Sequence, residues 1–217
     1  MAIAVAENLA IAYSGAGVTS LTRSFTIGGS ERYLIVGILD VSGDSATSCT
    51  YGGVAMTQLA KINALTSRYI YVYGLANPTT GTNDIVYTRG STTSVCGFGA
   101  TNLSGATQTT SPIDTSATVN GTGGVATVSL TTTVDNCGVI VFGSGDANFA
   151  ASTNLTEIAA DAAFDLALLC RSTTFPKTPA GAQTYEMTTS TGNNGIIGVA
   201  IAPYVAATNT GSFFLVM

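Results

Sequence analysis

Short apolar and β-branched runs alternate along this chain with clusters of Gly, Ser, Thr, Asn and Asp, and helical periodicity is nearly absent. A strand sends successive side chains to opposite faces, so the period reads directly as architecture. In the run 21–27, Leu21, Phe25 and Ile27 share one face while Thr22, Ser24 and Thr26 take the other. Gly28 and Gly29 then break the strand. Tyr33 to Leu39 is continuously apolar and suits a central strand covered on both faces. Thr50-Tyr51, the Gly52-Gly53 turn and Val54 to Leu59 read as a hairpin. Arg68 to Leu75 alternates again, and Asp84 to Thr88, Val95 to Leu103, Gly124 to Leu130, Gly138 to Gly143 and Gly195 to Tyr204 follow as further strands. Asn154 to Cys170 has two readings. Asn154 and Glu157 have the spacing of a helix capping box, but the alternation of Phe164, Leu166, Leu168 and Cys170 favours strand. The expected fold is therefore all-β: one antiparallel β-sandwich of jelly-roll type over residues 1–204. Residues 205–217 then form a short connector and an apolar extension strand.

Composition narrows the chemistry. Only 9% of the 217 residues are charged, against about 25% in an ordinary soluble domain. His and Trp are absent, which excludes Ser-His-Asp and Cys-His catalysis and any imidazole-ligated metal. The seven basic residues are scattered singly in a chain of net charge −5, so no footprint for nucleic acid exists. The apolar N-terminal stretch lacks a basic region and is interrupted by Glu7 and Asn8. Neither a signal peptide nor a membrane-spanning run is expected. Cys49, Cys96, Cys137 and Cys170 are far apart in sequence; small reduced residues are the first reading and disulfides the second.

Three features are candidates for function. Asp40 and Asp44 lie in a Gly-containing loop, where a solvated turn is favoured over a calcium site because the dense alternating oxygen ligands of a calcium loop are missing. Tyr69, Tyr71 and Tyr73 form a stripe on one face of a strand. It suits core packing, a subunit interface, or a glycan or partner surface. Phe213, Phe214, Leu215, Val216 and Met217 form a terminal apolar strand that would be sticky in water, and this suits an assembly interface. The composition marks out no catalytic residue, metal or cofactor.

The strings Ser24-Phe-Thr-Ile-Gly28, Tyr33-Leu-Ile-Val-Gly37 and Thr50-Tyr-Gly-Gly-Val-Ala-Met-Thr57 resemble a group of lectin-like β-sandwich proteins encoded by tailed bacteriophages, also found as modules of secreted bacterial proteins. The likeness continues through 71–81, 103–113 and 195–204. The resemblance implies a non-enzymatic virion component made in the host cytoplasm. Its first form is a capsid decoration protein partnered by copies of itself and a capsid or tail protein, without nucleic acid or membrane. The alternatives are a carbohydrate-binding module of a tail or fibre and a subunit of an extracellular filament.

Overall fold

A computed structural model of the protein describes residues 2–206 apart from 66, 112–113, 121–123, 148–149, 161–166 and 190. Regular structure among the described residues is all β. The first half contains β1 (Ala4–Ser14), β2 (Ser20–Ile27), β3 (Tyr33–Asp40), β4 (Ala46–Tyr51), β5 (Val54–Ala55), β6 (Thr57–Leu65), β7 (Arg68–Ala76), β8 (Gly81–Arg89) and β9 (Cys96–Ser104). The second contains β10 (Asp114–Asn120), β11 (Gly124–Thr132), β12 (Gly138–Ala147), β13 (Ala150–Ala151), β14 (Leu155–Ala160), β15 (Ala167–Ser172), β16 (Gly181–Thr189) and β17 (Thr191–Ile201). Every strand pairing is antiparallel.

The strands form four sheets, and their orders disclose a repeat. In the first half β1-β9-β3-β7-β6 faces β2-β8-β4-β5; in the second β10-β17-β12-β15-β14 faces β11-β16-β13. Replacing β1 by β10, β2 by β11, and so on along the chain converts the first pair of sheets into the second. Only the short β5 has no counterpart. In each half the first strand lies beside the last and the chain repeatedly crosses between sheets, which is the jelly-roll winding. The single sandwich expected over 1–204 is thus two sandwiches, stacked through their five-stranded sheets.

Three apolar layers hold the stack together. Leu34, Val36, Ile38, Tyr51, Ile85 and Tyr87 fill the first sandwich. Val128, Leu130, Val139, Val141, Tyr185 and Met187 fill the second. Between them, Ile35, Leu39, Ile70 and Val72 pack on Ile140, Phe142, Leu169 and Ile197. The continuous run in β3 has its physical reason here: all eight of its residues are buried because apolar layers cover both its faces. The outer sheets have only one covered face and alternate instead. On their outward faces Thr26 bonds Thr82 and Ser24 bonds Asp84, as Ser129 bonds Thr184 in the second half.

Four details go beyond the sequence reading. The N-terminal stretch is an edge strand, β1. The Gly52-Gly53 turn is present, both residues having positive φ, but its second arm leaves the sheet after Ala55 and continues as β6 in the sheet opposite. Asn154 caps no helix: it has φ +63 and its amide donates to the Thr184 carbonyl ahead of β14. The extension strand over 212–217 lies outside the described residues.

The sandwiches approach each other tightly where Gly37 faces Phe142. Gly37 pairs with Val72 and Gly99, and Phe142, in the matching place, pairs with Leu169 and Ile197. A side-chain carbon on Gly37 would lie 2.3 Å from the Phe142 ring. Gly37→Ala should therefore destabilise the protein by about 1–3 kcal/mol in urea unfolding. Phe142→Leu in the same chain should recover part of the loss, and a neutral Gly37→Ala would contradict this packing.

Candidate functional site

The tyrosine stripe lies on β7, directly under β4 and β8. Tyr71 and Tyr73 are buried, at 0% and 5% exposure, and Tyr69 is half-buried. Along the strand Tyr69 stacks on Tyr71 with ring centroids 6.2 Å apart, and Tyr73 is tilted against Tyr71 at 6.5 Å. The ring faces of Tyr71 and Tyr73 are thus spent on the first sandwich's core, and of the three only Tyr69 is partly exposed. Their hydroxyls reach the rim, where Tyr71 donates to Asp44 and Tyr73 to Gln58. Desolvation holds these phenols protonated, pushing Tyr73 up to about 12 and Tyr71 above its ordinary range, where the Asp44 hydrogen bond adds to it.

The end of β3 and the loop that follows it hold a buried polar network. Asp40 is fully buried. One oxygen accepts the Ser42 N–H at 2.9 Å and faces Arg89 Nη1 at 3.2 Å; the other accepts Ser45 Oγ at 2.8 Å and Tyr87 Oη at 2.7 Å. Arg89, also buried, donates onward to the Val18 and Ser94 carbonyls and to Ser42 Oγ. The β1–β2, β3–β4 and β8–β9 loops are thereby tied to one ion pair. A guanidinium neutralises Asp40, and its oxygens are occupied by protein donors. The solvated-turn reading is corrected at Asp40 because the residue lies inside the sandwich. Asp44 sits at the rim, bridged to Lys61 at 2.7 Å with both side chains nearly half exposed. That Lys61 hydrogen bond, assisted by Tyr71, holds the Asp44 carboxyl below the usual range against a smaller opposing desolvation. Among the described residues no group of His, Cys, Asp and Glu has metal-binding geometry.

All four cysteines are free and buried. Burial pushes Cys49 up to about 12 and raises Cys96, Cys137 and Cys170 as well. These are protonated packing residues, without the thiolate that nucleophilic chemistry needs. The expected assembly residues Phe213, Phe214, Leu215, Val216 and Met217 lie outside the described residues. What the residue-by-residue reading missed is the Asp40–Arg89 network. Its faint signal was an acid closing an apolar strand and an arginine closing another.

No family model matches the chain, and no curated protein matches it. Among solved structures, the major capsid protein P2 from bacteriophage PM2 matches at 8% identity and a TM-score of 0.27, covering 91% of this chain and 99% of that one. At that score the likeness carries no structural argument.

Two outcomes follow from the polar and thiol chemistry. Arg89→Met leaves a buried carboxylate without its counter-charge and should cost about 3–5 kcal/mol in urea unfolding; Lys61→Met, at the exposed pair, should lower stability far less. The raised thiol values make a pH prediction with a definite sign. The stability from burying neutral thiols is complete below their ordinary value of about 9 and is lost as pH rises toward about 12 at Cys49. The urea midpoint should therefore fall between pH 9 and 11. At pH 8 a thiol reagent should react with the four cysteines only after denaturation.

Proposed function

We propose that this protein is a non-enzymatic structural component of a virus particle, with capsid decoration as its specific role. The observation that carries this reading is the duplicated jelly roll itself: two sandwiches stacked into a four-layer block whose outward positions are mostly Ser, Thr and Val, beside the charges Asp84 and Glu186. Jelly-roll sandwiches serve in viral shells and in lectins. The lectin alternative loses support because Tyr71 and Tyr73 point into the core. A block of this kind works by presenting surfaces that lie against copies of itself or against another shell.

In this reading the 212–217 segment is the attachment device. An added strand contributes main-chain hydrogen bonds together with apolar burial. At roughly 25 cal/mol per Å² of apolar surface, covering Phe213, Phe214, Leu215, Val216 and Met217 contributes several kcal/mol before ordering costs. The full chain should enter purified particles, detected by mass spectrometry, and should form large assemblies seen by light scattering. Deleting residues 211–217 should leave a folded protein that does neither. Large assemblies that survive the deletion, or absence of the full chain from particles, would overturn the reading.

A further inference from the structure

The two sandwiches are stacked with like ends together. Ala106, just past β9, pairs with Pro203, just past β17, and a side-chain carbon on Gly138 would meet Ile3 and Leu103. At the opposite end of the block a side-chain carbon on Gly195 would meet Ala64 and Ile70, where β6 turns into β7. The first of these ends gathers the β2–β3 and β7–β8 turns, the β9–β10 linker, and the β11–β12 and β15–β16 turns. The chain also leaves β17 there.

The loops of this end are braced in both halves. Arg32 donates to the Pro78 carbonyl, the Gly29 carbonyl and Asn77 Oδ1 at 2.9, 2.7 and 2.8 Å. The N–H of Ala106 donates to the Glu31 carbonyl, that of Thr107 to Ala202 and that of Tyr204 to Gly105. In the second half Asp135 accepts the Ala180 N–H, and Asn136 is bonded twice to Thr178. Pro78, Pro176, Pro179 and Pro203 lie in these loops, each with its φ fixed by the ring. A surface ordered in advance loses little entropy on docking. The Arg32 and Asp135 charges are engaged inside their own loops, while Val134 and Val205 stand 45% and 81% exposed. Val54, also exposed, follows the turn in which β4 runs toward the same end. Of the exposed large apolar side chains among the described residues, only Val125 lies at the opposite end.

Chain length adds a bound. From Ala206 to Ser212 the backbone spans at most about 20 Å, at ~3.5 Å per residue. β17, with 11 residues, is about 36 Å long. Attachment through 212–217 must therefore begin near this end, because the connector cannot reach the other. We propose that this end is the face that sits on the shell, against a protein surface poor in charge, and that the opposite end, with the loops tied to Asp40 and Arg89, points outward. The inference rests on the particle reading above and gives it a direction.

Thiol labelling of purified particles tests this. The four native cysteines are buried, so a cysteine added at the surface of the full chain is labelled alone. Thr79→Cys and Val134→Cys place one in the β7–β8 and β11–β12 turns; Ala16→Cys and Thr93→Cys place one in the β1–β2 and β8–β9 loops at the opposite end. All four should react with a bulky maleimide on the free protein. On particles the first two should react about tenfold more slowly or less, and the last two at their free rates. Melting followed by circular dichroism checks folding, and Thr80→Cys or Thr133→Cys replaces a turn variant that fails it. Equal protection of both ends, or protection of Ala16→Cys and Thr93→Cys alone, would overturn the proposal while leaving the particle reading in place. Absence of the chain from particles would overturn both. Washing the particles in about 1 M NaCl, which screens contacts between exposed charges, should leave the chain attached; its release would overturn the partner poor in charge.

Discussion

A sheet covered on both faces must be apolar on both faces, and the two inner sheets of this protein are in that position. Where they meet, Phe142 lies over Gly37, a contact that exists because one residue has no side chain. Around it Ile35, Val72, Ile140, Leu169 and Ile197 close a layer with no access for water. The low charge content follows from this stacking. A larger share of the chain is strand interior than a single sandwich of the same length would require, and interior strands have no room for Lys or Glu without a partner. One place where charge enters the interior is informative. Asp40 and Arg89 are admitted at the end of the first sandwich, where three loops supply enough donors and acceptors to satisfy both.

The two halves have the same winding but differ in content. Thr22, Ser24 and Thr26 recur as Thr127, Ser129 and Thr131, and Ile35-Val36 recurs as Ile140-Val141. At other matching places the halves diverge. Tyr71 and Tyr73 correspond to Leu168 and Cys170, so the first interior is filled with rings and the second with smaller groups. Gly145 and Thr189 stand where the first half has Asp40 and Arg89, so the ion pair that ties its loops belongs to one half alone.

Much of the fold is legible in the sequence because strand burial writes itself as period. The run from Tyr33 to Leu39 announced two-sided burial, and Leu21 to Ile27 announced one-sided burial. The duplication was not legible in the same way, since apolar residues exchange freely wherever volume allows: Leu34 becomes Val139 and Phe25 becomes Leu130. The outward Thr and Ser kept their identity, and of the buried residues named here Ile35 and Val36 did so as Ile140 and Val141. The placement of the tyrosines was ambiguous for a related reason. Alternation assigns Tyr69, Tyr71 and Tyr73 to one face of a strand, but whether that face meets water or another sheet depends on where β4 and β8 return, which is a long-range fact. The ion pair was hidden because Asp40 and Arg89 are distant in sequence and each looks like an ordinary strand-end charge.

The hydroxyl-bonded exteriors of β2 with β8 and of β11 with β16 have a consequence for the milieu in which the protein can work. Dissolved ions weaken contacts made by charges and leave contacts made by hydroxyls and buried carbon nearly untouched. The Thr26–Thr82 and Ser129–Thr184 hydroxyl contacts are therefore far less sensitive to salt than the exposed Lys61–Asp44 pair.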